Sequence, residues 1–268
     1  LLLELKFKKR IIYYHGITPP KFFSKGSNLF KSCKKGLSDI KHLVDFDLYL
    51  SNSTVSKNQF LNNLNHNFID YEKFVNMPPI DIFSNNKRDY KIKSLKSGLN
   101  FYYCGTLIKH KNINLLLELF NNSNNNKYNL SIFTSFSKED SFKILGEEKY
   151  KEYLKNRINF FHKLDDENMN INLQKMNCFI TLSLNEGFCI PLFDAINNFK
   201  PVLSFPMQCL VDYFPKNYKY ISKLDNFLNI QNKYFYNLEH IEIFRDFIKD
   251  KSKYLTKTGL DLIISTID

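Results

Sequence analysis

Short apolar runs alternate along the chain with segments of helical periodicity. The runs are rich in Ile, Val, Phe, Tyr and Leu, as is typical of strands that are covered on both faces. We predict strands over residues 10–15, 48–51, 73–77, 100–104, 129–134, 158–161, 178–183, 202–205 and 219–222.

Helix signals fill most of the gaps between these strands. Ser53 is placed to cap a helix over residues 54–64, and Asn112 is placed to cap one over residues 113–120 that has an apolar face. Further helices are predicted over residues 140–157 and 239–267, and another opens near Pro191. Strands that alternate with helices in this way predict an α/β chain with doubly wound parallel sheets.

One interruption divides this pattern into two parts. After the apolar run that ends at residue 77 come Pro78 and Pro79 and then the polar residues 84–89, and the next strand begins near residue 100. Two prolines followed by a polar stretch suit a hinge between domains. We therefore expect an N-terminal domain over residues 1–90 and a fuller C-terminal domain over residues 91–268.

The size and charge of the chain narrow the class of protein. With 268 residues, of which 43% are hydrophobic and 24% charged, the chain can bury a large core, which excludes a disulfide miniprotein and a disordered tail. The net charge is +11, and residues 1–41 hold ten basic residues against two acidic ones. Such a field favours an anionic partner, namely a nucleic acid, an acidic lipid or a phosphorylated substrate, although a merely solvated basic face has the same pattern.

Cysteine usage and the longest apolar runs bear on the cellular compartment. The five cysteines form no Cys-x-x-Cys pair, and their odd number favours a reducing, cytoplasmic setting. No apolar run reaches the roughly 18–20 residues that span a bilayer. The chain starts at Leu1 without the layout of a signal peptide. We expect a cytoplasmic piece of a longer protein, peripheral to the inner membrane face if its basic residues bind anionic lipid.

The segment richest in potential chemistry follows the predicted strand at residues 178–183. It holds Glu186 and Gly187 in a turn, Pro191 near the first turn of a helix, and Asp194 within that helix. Backbone N–H groups of residues 188–192 and the positive end of the helix dipole would form an anion site beyond the end of the strand. An ordinary connecting loop with one exposed acid is the alternative.

A second strand–turn–helix unit has the same design. Gly105 and Thr106 follow the predicted strand at 100–104, and His110 and Lys111 stand just before the next helix. A diphosphate between the two turns would meet backbone donors on one side and cations on the other. One lysine–phosphate pair about 4 Å apart contributes roughly 4 kcal/mol at an effective dielectric constant near 20, before desolvation. For this loop taken alone, solvated lysines are the alternative.

These segments together resemble the signature of the family 4 retaining glycosyltransferases of the GT-B fold. The resemblance rests on Glu186-Gly187-Phe188, Pro191-Leu192, Asp194-Ala195, Lys200-Pro201-Val202, Gly105-Thr106, Lys111-Asn112 and Tyr14-His15-Gly16-Ile17-Thr18-Pro19-Pro20. It implies two Rossmann-like domains with parallel sheets, of which the N-terminal one is incomplete in this chain. It also implies transfer of a sugar from a nucleotide-diphosphate donor to a glycan or lipid-linked acceptor, with retention of configuration at the anomeric carbon.

The same resemblance implies roles for individual residues. Glu186 would lie beside the donor sugar near the reacting carbon, and His15 would reach that sugar across the cleft as the second catalytic residue. Asp194 would bind the ribose hydroxyls and Lys111 the diphosphate. The other donor-binding positions that it implies are Gly105, Thr106, His110, Gly187, Phe188, Cys189, Ile190 and Leu192. The donor would carry UDP or GDP, and no separate cofactor is implied.

Four residues depart from the family pattern. Asp194 stands where the family usually has Glu, His110 where it often has Arg, and Cys189 and Phe199 stand in place of glycines. With the incomplete N-terminal domain, the changes at 189, 194 and 199 keep an alternative function open. The alternative is a catalytically degenerate relative that binds a nucleotide or a protein partner. Nucleic-acid binding is a third hypothesis that we do not favour, because aromatic residues make up 16% of the whole chain and so fall beside lysines by chance.

One short motif points to a metal ion. Asp45-Phe46-Asp47 matches the Asp-x-Asp metal motif of the other glycosyltransferase fold, but it directly precedes a predicted buried strand. We interpret this motif as a corner that leads into the strand, and we expect no metal site.

Overall fold

A computed structural model describes residues 8–64, 73–79, 99–122, 128–214 and 238–267. Within these residues the chain forms two sheets of parallel strands with helices packed on them. The predicted α/β class with parallel sheets is therefore confirmed.

Three strands form the first sheet, in the spatial order β1 (Ile11–Tyr14), β2 (Leu48–Ser51) and β3 (Phe74–Asn76). Two helices lie between them in the chain, α1 (Asn28–Asp39) and α2 (Thr54–Asn63). Aromatic side chains fill the core of this half. The rings of Tyr49 and Phe74 stack 5.6 Å apart, and both contact the fully buried Phe60 of α2.

Five strands form the second sheet, in the spatial order β6-β5-β4-β7-β8. These strands are β4 (Leu99–Cys104), β5 (Tyr128–Thr134), β6 (Ile158–His162), β7 (Cys178–Thr181) and β8 (Val202–Ser204). The accompanying helices are α3 (Ile113–Asn121), α4 (Lys138–Leu145), α5 (Glu147–Lys155), α6 (Asp166–Leu173) and α7 (Ile190–Asn197). Every neighbouring pair of strands is parallel, so all carboxyl ends lie at one edge of the sheet.

Apolar layers cover both faces of the second sheet. One core joins α3 and α5 to the strands through Leu116, Leu117 and Tyr150. The other core holds Phe193 of α7 and Tyr213, and both side chains are fully buried. Because both faces are covered, these strands have continuous apolar runs rather than alternating polar and apolar residues.

A long C-terminal helix, α8 (Leu238–Ile267), packs on both sheets. Its Ile248 is buried in a core of the second sheet, whereas Leu262 and Ile263 pack on the strands of the first. Gly259 permits this close approach, because a Cβ atom there would lie 2.5 Å from the sulfur of Met77. α8 therefore links the two halves of the chain.

Two helix predictions need correction. Residues 140–157 form two helices rather than one, because Gly146 adopts a φ of 84° between α4 and α5. Asn112 does not cap α3, because its own backbone is left-handed (φ 54°, ψ 34°) and its side chain makes no capping hydrogen bond. Ser53 does cap α2 as predicted, since its Oγ accepts a hydrogen bond from the Ser56 N–H at 3.2 Å.

Some predictions cannot be compared with the structure. The strand predicted at residues 219–222 lies outside the described residues, and so do residues 80–98 around the predicted domain boundary. The division at residue 90 therefore stays a prediction.

Candidate functional site

The order of strands in the second sheet creates one natural crevice. From β4 the chain moves outward to β5 and β6, and it then returns to the opposite side of β4 with β7 and β8. The connections leaving β4 and β7 therefore diverge to opposite sides, which is the topological switch point where open α/β sheets bind ligands, beyond the carboxyl ends of the strands. Gly105 directly follows β4, and Glu186 and Gly187 lie in the connection that follows β7.

The two connections are in direct contact. The Leu184 N–H donates a hydrogen bond to the carbonyl of His110 at 2.8 Å. The Lys111 ammonium bonds both carboxylate oxygens of Glu186, with Nζ 2.7 Å from Oε1 and 2.6 Å from Oε2. The structure thus brings together the two turns that the sequence predicted to act on one ligand.

The turn after β4 is built tightly around Gly105. Its N–H donates to the Phe133 carbonyl at 2.9 Å, and the Tyr103 hydroxyl donates to the Thr106 carbonyl at 2.9 Å. A Cβ atom at position 105 would lie 2.7 Å from that hydroxyl. Burial raises the pKa of Tyr103 well above its ordinary value, and the nearby Glu186 carboxylate raises it further. Tyr103 is therefore a neutral donor that fixes the turn.

The imidazole ring of His110 is buried, and only its backbone carbonyl bonds the neighbouring turn. Its side chain is buried, and its ring lies 5.7 Å from the ring of Phe22 and 6.4 Å from that of Phe23. Burial lowers the pKa of the imidazole, and Lys111 lowers it further. A neutral, buried ring cannot neutralise a phosphate, so its visible contribution is the carbonyl that bonds Leu184.

The turn after β7 supplies backbone donors. Cys189 adopts a left-handed conformation with a φ of 71°, and α7 begins at the next residue with Pro191 in its first turn. The Leu192 N–H already donates to the Cys189 carbonyl at 3.0 Å. Among the described residues, the N–H groups of Phe188, Cys189 and Ile190 have no such acceptor. The side chains of Phe188 and Leu192 belong to the apolar core, so only backbone atoms of these residues can contact a ligand.

Asp194 lies on the exposed side of α7. Burial raises the pKa of the Cys104 thiol to about 11, and the Asp194 carboxylate contributes to that rise. Cys104 is the last residue of β4, so Asp194 lies within electrostatic range of the strand end that Gly105 follows.

His15 approaches this crevice from the first sheet. It follows β1 directly, its side chain is exposed, and its ring lies 4.4 Å from that of Tyr13. A Cβ atom at Gly187 would lie 2.5 Å from the His15 carbonyl oxygen. The residue beside Glu186 therefore touches the backbone of His15, and the two predicted catalytic residues lie at one junction of the two halves.

A further set of contacts at this junction was not predicted. The Ser53 hydroxyl donates to the Gly187 carbonyl at 2.7 Å, and the Thr54 N–H donates to the Asp212 carboxylate at 2.6 Å. The Tyr213 hydroxyl donates to the Asn52 carbonyl at 2.9 Å. We call these three hydrogen bonds the clasp. The capping signal at Ser53 was visible in the sequence, but nothing in it pointed to Asp212 or Tyr213.

The Asp-x-Asp segment forms a corner. Asp47 accepts a hydrogen bond from the Arg10 N–H at 2.7 Å, and Asp45 has a φ of 61° just before β2. No group of three or more His, Cys, Asp or Glu side chains is arranged to hold a metal ion among the described residues. None of the helices in the described part of the chain is both long and apolar enough to cross a bilayer.

Three solved structures align with almost the whole of this chain. Anabaena HepE in complex with UDP and glucose aligns at 14% identity with a TM-score of 0.66, over 96% of this chain and 72% of that protein. A glycosyltransferase from Rickettsia africae aligns at 16% identity with a TM-score of 0.63, over 96% and 70%. TarM aligns at 12% identity with a TM-score of 0.63 over 96% of this chain, which spans about half (49%) of the length of TarM. At these identities the likeness shows the fold, which is the expected GT-B fold.

Comparison of the sequence with protein families identifies the family of this chain. No protein of curated function matches the chain. Residues 86–226 match the family described as glycosyl transferases group 1. The matched segment includes both turns of the crevice and makes up more than half of the chain. The chain therefore belongs to the group 1 glycosyl transferases.

Proposed function

We propose that this chain transfers a sugar from a nucleotide-diphosphate donor to an acceptor with retention at the anomeric carbon, as family 4 enzymes do. The observation that carries this proposal is the contact between two turns at the switch point of the second sheet, each with groups that suit a phosphate. The Lys111–Glu186 ion pair and the Leu184–His110 hydrogen bond make that contact.

In this proposal the diphosphate lies between the turn at Gly105 and the beginning of α7. The N–H groups of Phe188, Cys189 and Ile190, the positive end of the helix and Lys111 all favour negative charge there. Charge builds up on the leaving phosphate during transfer, and donors that are already in place stabilise it without reorganisation. The wider donor site consists of Gly105, Thr106, His110, Lys111, Gly187, Phe188, Cys189, Ile190, Leu192 and Asp194.

The sugar lies, in this proposal, between Glu186 and His15. The close approach of Gly187 to the His15 carbonyl supports this arrangement. Asp194 binds the ribose hydroxyls; its exposed carboxylate at the β4 end of the crevice supports that role, although Asp reaches about 1.5 Å less far than the usual Glu. No metal or other cofactor has a step in this scheme.

The donor and acceptor classes follow from the chemistry of the site and from the relatives. The structure of HepE holds UDP and glucose, and one of TarM holds Fondaparinux, alpha-GlcNAc-glycerol and UDP. We propose a UDP-sugar as the donor, with a GDP-sugar as the second choice, and a glycan or lipid-linked glycan as the acceptor.

A transfer assay with a panel of UDP- and GDP-sugars tests the function. We expect Lys111→Ala and Glu186→Gln each to slow turnover by about 10²–10³-fold, the effect of losing one preorganised group at a developing charge. Lys109→Ala is the matched control, because Lys109 is an exposed cation of the same turn. NMR of the product anomer tests retention. Unchanged turnover in both site variants would contradict the assigned roles.

A catalytically degenerate, nucleotide-binding relative is the second candidate. The observation that favours it is Cys189. Its backbone is left-handed, and it places a buried side chain beside the backbone donors of the site, where the family has glycine. The two candidates differ in one pair of measurements. UDP that raises the melting temperature without any turnover supports the binding subunit, whereas a raised melting temperature with turnover supports the enzyme.

We also propose that α1 contacts an anionic membrane surface. Lys31, Lys34 and Lys35 are exposed along this helix, and Leu29 near its start is 58% exposed. Near a membrane with acidic lipids each such lysine contributes about 1 kcal/mol, and an exposed leucine adds apolar contact. A lipid-linked acceptor is found at such a surface.

Vesicle sedimentation tests the membrane contact. We expect preferential binding to vesicles with phosphatidylserine over neutral ones, and a loss of roughly 100-fold when the three α1 lysines are changed to Gln. The control variant carries Gln at Lys149, Lys151 and Lys155, three exposed lysines of α5. Equal losses in the two triple variants would mean that net charge alone is responsible, which overturns the assignment to α1.

A further inference from the structure

The cation at the centre of the proposed anion site is already paired with a carboxylate. Lys111 bonds both oxygens of Glu186, at 2.6 and 2.7 Å, and the side chains are only 20% and 11% exposed. The lysine belongs to the turn after β4, and the glutamate to the turn after β7. The cation suited to the diphosphate is thus already neutralised by an internal carboxylate.

Electrostatics sets the consequence for an incoming diphosphate. A phosphate oxygen and the Glu186 carboxylate have the same sign of charge, and both are suited to the same ammonium group. Burial is the main cause of the raised pKa values of Tyr103, Cys189 and Cys209, and the charge of Glu186 raises all three further, whereas Lys111 lowers those of the two cysteines. The carboxylate therefore opposes further negative charge across this part of the crevice.

We infer that Glu186 and the donor diphosphate compete for Lys111. In the free protein Glu186 holds the lysine; when the donor binds, the ammonium moves to the diphosphate and the carboxylate is released toward the sugar. When the nucleotide leaves, Glu186 takes the lysine again, which favours release of the product. This inference rests on the proposed function, because it assumes that the crevice binds a nucleotide diphosphate.

If Glu186 instead helps Lys111 to bind the phosphate, the expected change in nucleotide affinity has the opposite sign. If Glu186 only holds Lys111 in position for the phosphate, removing the carboxylate weakens nucleotide binding. If it competes, removing the carboxylate strengthens binding, even though the same change slows transfer. The sign of the change in affinity therefore separates the two.

Calorimetric titration with UDP of the wild-type chain, Glu186→Gln and Glu186→Asp is the test. We expect Glu186→Gln to bind UDP about tenfold more tightly, because a partly buried ion pair no longer has to be broken. Glu186→Asp keeps the charge but is too short to hold the lysine with both oxygens, so we expect it to bind about threefold more tightly. Uridine, which has no phosphate, is the control ligand and should bind all three proteins equally, which also reports a correctly folded site.

The outcomes are distinct. Tighter UDP binding by both variants, with uridine unchanged, supports competition for Lys111. Tighter binding by Glu186→Gln alone means simple charge repulsion and overturns the inference, as does weaker or unchanged binding by both. A wild-type chain that binds no UDP contradicts the proposed function itself, rather than this inference.

Discussion

Cys189 and Phe199 carry side chains at backbone positions that favour glycine. Their φ values are 71° and 54°, in the left-handed region that costs a residue with a side chain about 1–2 kcal/mol. Packing holds both in place: Cys189 is buried in the apolar core, and Arg245 lies 4.4 Å above the ring of Phe199. The resemblance predicted glycines at these two positions, and the observed dihedral angles have the form that glycine would adopt most easily.

Lys200 is a buried cation outside the crevice that should make stability depend on pH. Its ammonium donates to the carbonyls of Leu173 and Met176, and burial lowers its pKa to about 7. Because the pKa is lower in the folded state, the unfolded chain binds more protons between about pH 7 and 10, and stability rises with pH there. The slope is at most about 1.4 kcal/mol per pH unit.

Lys200→Met tests this dependence. We expect the free energy of unfolding of the wild type, minus that of the variant, to increase by about 1 kcal/mol when the pH rises from 7.5 to 8.5. Urea unfolding of both proteins at several pH values measures it. The comparison cancels the titration of other groups, such as the buried tyrosines. A difference that is constant from pH 7 to 9 would show that Lys200 keeps an ordinary pKa.

At the scale of the elements, two side chains from different parts of the chain accept hydrogen bonds from backbone N–H groups in the first turn of α2. Ser53 caps the helix locally, and Asp212 accepts a hydrogen bond from the Thr54 N–H across the junction. A carboxylate at the positive end of a helix is favourable. The same serine also bonds the Gly187 carbonyl, so the position of α2 is tied to the turn that carries Glu186.

Asp212→Ala tests the clasp. We expect the free energy of unfolding to fall by about 1–2 kcal/mol, the usual cost of losing a helix-capping acceptor. Asp250→Ala on α8 is the matched control, because Asp250 is an exposed aspartate. Chemical unfolding of both variants gives the comparison. Equal, small losses in the two would mean that Asp212 makes no net contribution.

The sequence predicts elements well where local signals are sufficient. Gly105, Lys111, Glu186 and Gly187 lie in short turns between apolar strands and helices, and that local pattern was enough to predict that the two turns lie together. The clasp could not be predicted, because Thr54 and Asp212 are separated by 158 positions and become neighbours only after both sheets have formed. α1 was not predicted, although its Leu37 packs against the core of the first half; none of its residues is fully buried.

At the scale of the whole molecule, the crevice lies where two parallel sheets meet. The clasp and α8 hold the two sheets together. The clasp does so beside Gly187. α8 does so through Leu262 and Ile263, which pack on a core of the first sheet. The catalytic proposal needs this arrangement, because Glu186 and His15 come from different sheets. Among the described residues, the excess of positive charge in residues 8–41 lies on the half that carries α1, which we propose contacts an anionic membrane.

A crystal structure of the chain with UDP tests the central proposal most directly. We predict the diphosphate between the turn at Gly105 and the first residues of α7, within hydrogen-bond distance of Lys111 and of a backbone N–H from residues 188–190. A diphosphate bound elsewhere on the molecule, or a crevice that stays empty at saturating UDP, would contradict the account.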